Sequence, residues 1–273
     1  MALTAIHRHV LRVLAERRRA AGHSSAPGGV ALNELLQASR RSRDIDLFHD
    51  TEAALAATWD SDRLALTSQG YALEVVRERP TFVEALISRG AESVVLEWSQ
   101  DSAYRFFPLL EHPTLGLTLH PIDLATNKVL ALVGRREPRD FVDVLACHEA
   151  MQPFGYLAWA AAGKDPGWGP SAIIEEATRT ARYSQAELDL LDFEGPRPDA
   201  AKLSRQWRAA VESARRLVRL LPPEHAGACV LDGEMGLARL EEAELLRALQ
   251  GDRIRFHEGR IHGAFPSLRT SRP

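Results

Sequence analysis

Lysine is scarce in this chain of 273 residues. Of its 34 Lys and Arg residues only Lys128, Lys164 and Lys202 are lysines, and the rest are arginines. Set against 37 Asp and Glu they leave a formal net charge of -3. That total supplies no global field for non-specific nucleic-acid binding, so any such contact must be local. Cysteine is scarcer still. Cys147 and Cys229 lie far apart and neither belongs to a C-x-x-C pair, which excludes a disulfide scaffold and reads as two buried small hydrophobes. The 10 histidines form no H-E-x-x-H or Cys/His ligand spacing, so no zinc site of those kinds is expected. No apolar run approaches the roughly 20 residues that cross a bilayer. The start MALTAIHRHVLRVLAERRRA also lacks a long apolar stretch followed by a small-residue cleavage site. The reading is a cytoplasmic protein with no membrane partner. With 26% charged and 45% hydrophobic residues, the composition excludes disorder as the main theme and fits one large domain or two modest ones.

What is present is a series of periodic segments. Ile6, Val10, Leu11, Val13 and Leu14 among arginines predict an amphipathic helix over 3–21, with Arg17 to Arg19 in the last turn, where the helix dipole favours cations. HSSAPGG at 23–29 is a small-residue loop, and VALNELLQAS at 30–39 resumes a helical period, so the pair Gly28-Gly29 opens a helix. After the arginine-rich turn at 40–43, the alternation of Asp44, Ile45, Asp46, Leu47 and Phe48 predicts a strand that carries both aspartates on one face. A helix is predicted over 51–59, then strands over 71–77, 81–88 and 93–98, the last two joined by a hairpin turn at 89–91. A further strand is expected over 115–119. From Asp123 the chain reads as mostly helical, over 124–133, 138–151, 171–182, 184–192, 199–220 and 236–250, with Gly/Pro breakers at 163–170 and 195–198. The expected architecture is α+β: a core with its N-terminal helix over residues 1–162, then a helical C-terminal region over 163–273.

Four local features carry chemistry. They are Gly28-Gly29 at a helix start, Asp44-x-Asp46 on a strand, Glu97 at the end of another strand, and Lys128 on a helix followed by Arg139-Asp140-x-x-Asp143. Two aspartates on one strand face with a third carboxylate on a neighbouring strand suit divalent metals that clamp an in-line phosphoryl displacement. Hard oxygen ligands favour Mg²⁺. A glycine pair lets backbone N–H groups approach a triphosphate at a helix N-terminus, and a lysine ammonium adds a compact charge. Each feature also has a plainer reading. The D-x-D can be an exposed strand edge, Glu97 a solvent-facing residue, Asp123 the N-cap of the helix that bears Lys128, and Asp140 and Asp143 first-turn surface charges. Arg208, Arg215 and Arg219 read as a solvated helix face, and Trp207 as core.

In order and spacing, GGVALNELL, SRDIDLF, VLEW, HPIDLATNKVLAL and REPRDFVDVL over roughly residues 24–150 resemble the AbiEii-type nucleotidyltransferase toxins, a branch of the DNA polymerase β-like nucleotidyltransferases. The resemblance implies a polymerase β-like core, a small mixed sheet with helices. It implies transfer of a nucleoside monophosphate from an NTP to an acceptor hydroxyl with Mg²⁺ or Mn²⁺. Gly28, Gly29, Arg43 and Lys128 would then bind nucleotide, and Asp44, Asp46 and Glu97 would hold metal. Lys128, Asp140 and Asp143 would complete the catalytic set. The implied acceptor is RNA, specifically a tRNA 3′ end, and the implied setting is toxin-antitoxin or phage defence with a cognate antitoxin. A small-molecule nucleotidyltransferase and a non-catalytic nucleotide- or partner-binding module are the alternatives. Two positions depart from the family pattern: the first motif commonly reads Gly-Ser where this chain has Gly28-Gly29, and Glu97 stands where aspartate is more usual.

Overall fold

The computed structural model describes residues 3–22, 24–25, 28–42 and 44–266. In chain order they form α1 (Ala5–Ala21), β1 (Ser24–Ser25), α2 (Gly28–Leu36), β2 (Asp44–His49), α3 (Glu52–Ser68), β3 (Ala72–Arg79), β4 (Phe82–Arg89), β5 (Glu92–Gln100), β6 (Tyr104–Arg105), β7 (Leu110–His112), β8 (Gly116–Thr118) and α4 (Pro121–Arg135). There follow α5 (Pro138–Ala150), α6 (Phe154–Ala161), α7 (Pro170–Thr180), α8 (Gln185–Asp189), α9 (Ala200–Leu220), β9 (Cys229–Leu231), α10 (Glu242–Gln250), β10 (Arg255–His257) and β11 (Arg260–Ile261). The fold is α+β with a small mixed sheet, as the sequence predicts. Two compact units compose it. One takes Met1–Ala103, Leu109–Leu124 and Gln185–Pro198, and the other Tyr104–Pro108, Ala125–Ser184 and Asp199–Pro273.

The first unit is built on a five-stranded sheet in the order β1-β2-β5-β4-β3. β2 and β5 run parallel, while the β3-β4-β5 meander and the β1-β2 pair are antiparallel. Strand alternation buries one face. Ile45 and Leu47 of β2, Val83, Ala85 and Ile87 of β4, and Val94, Leu96 and Trp98 of β5 are buried, while their sequence neighbours on the other face keep partial exposure. Val10, Leu11 and Leu14 of α1 and Leu55, Trp59 and Leu66 of α3 complete this core. Both helices start on side-chain caps: Thr4 accepts from the His7 N–H, and Thr51 Oγ1 from the Ala54 N–H at 3.1 Å.

Arg18 departs from the dipole-partner reading of its helix turn, because it is fully buried. Burial lowers its guanidinium to about 10, against an opposing pull from Asp62. The Asp62 carboxyl is raised by burial, opposed by the Arg18 charge and by the Trp98 indole, which donates to Asp62 Oδ2 at 3.0 Å. Trp98 also meets Trp59 edge to face at 4.7 Å.

The second unit is helical with small strand pairs. α6 was not visible as a periodic segment because all eight of its residues are buried, leaving no polar stripe to mark a period. It lies close against α9, where a Cβ on Gly155 would come within 2.9 Å of the Ala214 Cα. The C-terminal region is mostly helical, as expected, and adds a small strand pair, since β9 and β10 pair antiparallel over Cys229–Leu231 and Arg255–His257. The helix expected from 236 begins only at Glu242. Residues 237 and 238 are already spent on β9, through the Leu231–Leu237 bridge and the Ala238 N–H bond to the Val230 carbonyl at 3.0 Å.

Candidate active site

The D-x-D strand behaves as the alternation demands. Asp44 and Asp46 sit on the partly exposed face of β2, and Ile45 and Leu47 anchor the strand in the core. α2 begins beside them. Gly28 has φ +84°, and a Cβ placed there would lie 1.9 Å from Asp46 Oδ2. Glycine is therefore required twice at this position, for the left-handed backbone and for the space that the carboxylate fills. At Gly29 a Cβ would come within 2.7 Å of Arg40 Nη2 and 3.1 Å of Ser42 Oγ. The nearly buried Arg40 guanidinium thus lies where a serine side chain at 29 would project. Arg43 lies outside the described residues.

Strand register brings the third acid into line. Asp46 is the direct partner of Glu97 across the parallel β2-β5 ladder, and Glu97 is the partner of Glu84 across β5-β4. Three carboxylates thus form a row on one sheet face. Glu84 was not found from sequence, since nothing in FVEALISR marks it except its place in a register that only strand pairing sets. Arg77 lies 3.9 Å from it. Strands about 4.8 Å apart spread such a row over roughly 10 Å. Among the described residues no group of three His, Cys, Asp or Glu is gathered to hold a metal ion. The donors nonetheless suit Mg²⁺. It is bound through one or two carboxylates plus phosphate oxygens and water, not in an all-protein cage. Asp44 and Asp46 supply two carboxylates on one face beside a helix start.

Lys128, Asp140 and Asp143 come together in the second unit. The Lys128 ammonium lies 2.9 Å from Asp140 Oδ1 and 3.0 Å from Asp143 Oδ2, with side-chain exposures of 8%, 0% and 1% respectively. Arg135, absent from the sequence reading, clasps Asp140 at 2.8 Å through Nε and 3.1 Å through Nη2. Burial opposes ionisation of Asp140, but the Arg135 hydrogen bond and the charges of Lys128 and Arg135 outweigh it, and the carboxyl stays below the usual range. The first-turn surface reading of these two acids therefore does not apply. Asp123 is not an N-cap either. Its helix starts two residues earlier at Pro121, whose missing N–H suits a first helical position, and Asp123 is buried within the first turn. Cys147 is buried beside this cluster, its thiol pushed up by burial and by Asp143, and Cys229 is buried too.

No known family model and no curated protein sequence matches the chain. A solved structure does: MenT4, a nucleotidyltransferase toxin of Mycobacterium tuberculosis H37Rv, is similar with a TM-score of 0.53 at 13% identity, over 91% of this chain and 93% of that one. The chain has a nucleotidyltransferase fold. Two Helicobacter pylori structures, a candidate nucleotidyltransferase and JHP933, are similar with TM-scores of 0.48 and 0.46 at 13% and 11% identity. They cover 80% and 78% of this chain and 98% and 92% of their own. At such identity the likeness concerns the backbone alone, and the side chains must be argued from their own geometry.

Within this nucleotidyltransferase fold, Gly28, Gly29, Asp44, Asp46 and Glu97 belong to the sheet unit, and Lys128, Asp140 and Asp143 to the helical unit. Trp207 is core, as its sequence suggested, packed between Phe141 and Phe154. On α9, Arg215 is held by Glu175, and Arg216 by Glu212 and Glu242. Among the described residues no helix is long and apolar enough to cross a membrane.

Proposed function

We propose that the protein transfers a nucleoside monophosphate from an NTP to a hydroxyl of RNA, the 3′ end of tRNA being the favoured acceptor. It would act as a toxin-like enzyme beside a cognate antitoxin in the cytoplasm. One observation carries the reading: Asp44 and Asp46 share a strand face in register with Glu97, against a helix start whose Gly28 leaves space for the Asp46 carboxylate. The likeness in fold to a nucleotidyltransferase toxin supports the toxin setting.

In this reading Asp44 and Asp46 hold Mg²⁺ or Mn²⁺, with Glu97 beside them in the row. The ion, when bound, neutralises charge on the phosphate oxygens. The N–H groups of the first turn of α2 bind the triphosphate. Glu97 takes the proton of the acceptor hydroxyl as its oxygen bonds to the α-phosphorus, and the bond to the bridging oxygen breaks to release pyrophosphate. Lys128 serves the nucleotide as a compact charge, held in place by Asp140 and Asp143. Since phosphoryl transfer asks little covalent chemistry of a protein, positioning and electrostatics supply most of the acceleration.

The test is incubation with each α-labelled NTP, Mg²⁺ and total RNA, with Asp46→Ala as control. Label on RNA, lost in the control, is the expected result. Label on a small acceptor in place of RNA would replace the acceptor assignment, and no transfer to any acceptor would leave a binding module. Full activity in Asp46→Ala would overturn the metal assignment.

A further inference from the structure

The helical unit holds a cavity of about 810 Å³ that the reading above does not use. It lies among α5, α7, the segment after α7, and α9, and its lining is aromatic and mainly cationic, with one acid, Glu212, that is paired with Arg216. Phe141, Tyr183 and Trp207 supply ring surface, while Arg182 and Arg208 stand at its wall. Tyr183 leans on Phe141 at 5.2 Å between ring centres, and Phe141 meets Trp207 edge to face at 5.5 Å.

One feature separates this wall from an ordinary solvated helix face. Arg182 and Arg208 have no carboxylate within ion-pair distance among the described residues; Arg208 donates only to the Ser204 hydroxyl at 3.1 Å, whereas Arg215, one turn beyond Glu212, is already held by Glu175.

We propose that this cavity seats an unpaired nucleotide of single-stranded RNA, with Arg182 and Arg208 on the flanking phosphates and the base against Tyr183. The size fits, since ligand pockets run from roughly 300 to 1,000 Å³. The chemistry fits as well: single strands are held by aromatic surface for bases and guanidinium groups for the backbone. It also reconciles an acidic total charge with a nucleic-acid acceptor, because two uncommitted arginines act locally where net charge does not. The proposal rests on RNA being the acceptor. It further places Phe141, between Asp140 and Asp143 on α5, at the junction of the cavity and the Lys128 cluster.

The experiment measures anisotropy of a fluorescein-labelled, unstructured ten-nucleotide RNA with the full chain, without NTP, over a salt series. The Arg182→Glu/Arg208→Glu double variant should bind about tenfold more weakly or worse. Its salt slope should fall by about 1.4, since each phosphate contact on a single strand contributes about 0.7. Both arginines are exposed and, among the described residues, without carboxylate partners, so unfolding should be unaffected. Ser204→Phe, which fills the cavity and keeps both charges, should weaken binding too. Unchanged affinity and slope in the double variant overturn the proposal, as does a duplex of equal length that binds as tightly as the single strand. Retention of tight binding by Ser204→Phe overturns the cavity itself. Two outcomes separate this proposal from the one before. If the protein labels RNA but the double variant keeps its KM for RNA, the cavity falls and the transferase stands. If RNA binds here and no label is transferred, the transferase reading falls and the cavity stands.

Discussion

At the scale of single residues the strongest constraint is Gly28. Gly28→Ala must place a methyl 1.9 Å from Asp46 Oδ2 on a backbone at φ +84°. Such strain costs about 1–3 kcal/mol, and Asp46 must also move. The expected result is loss of label transfer with a modest drop in thermal stability, read by activity and melting together; wild-type activity would show that the Asp46 position is not critical. Gly29→Ser meets only the far end of the Arg40 side chain and a serine hydroxyl, so it should fold normally. Asp140 makes a prediction in pH. Its folded carboxyl lies below the unfolded value of about 3.9, so its stabilisation is present above that value and is lost as pH falls through the depressed folded value. Urea unfolding from pH 7 to pH 3 should show Asp140→Asn less stable at neutral pH and with a flatter acid limb. An acid limb identical to wild type would remove Asp140 from the balance.

At the scale of elements, α4 and α5 are clamped by charge. Removing one partner from a buried ion pair typically costs about 3–5 kcal/mol, because the other charge is stranded. Lys128→Met should lower stability, by less than that where Arg135 still serves Asp140. It should also raise the KM for NTP. A rise in KM measured well below the variant's melting point reports on nucleotide, while a loss of stability with unchanged kinetics leaves Lys128 a purely structural cation. Element type was largely legible from sequence. Alternation over 44–48 and helical periods over 3–21 and 199–220 are local signals that survive folding. α6 was not legible, because a helix buried all round has no period. β9 and β10 were not legible either, since three-residue strands exist only through their pairing.

At the scale of the whole molecule, chelation separates catalysis from folding. In the proposed reading the ion is held by Asp44 and Asp46 for the reaction rather than for folding. EDTA should abolish transfer and leave circular dichroism and the melting temperature unchanged, with activity restored by Mg²⁺ or Mn²⁺. A fall in melting temperature on chelation would reveal a structural ion. The sequence by itself determined that Asp44 and Asp46 face one way, that a glycine pair opens α2, that both cysteines are buried small hydrophobes, and that net charge supplies no global field for a nucleic acid. Those are properties of spacing and residue type within a few positions of the chain. Only the tertiary structure decided that Glu97 stands opposite Asp46 with Glu84 beyond it, that Lys128 is gripped by Asp140 and Asp143, and that Arg18 is buried near Asp62 while Arg182 and Arg208 stand without carboxylates among the described residues. Each of these depends on strand register or helix packing between residues far apart in sequence, where a one-residue slip would turn the side chain to the opposite face.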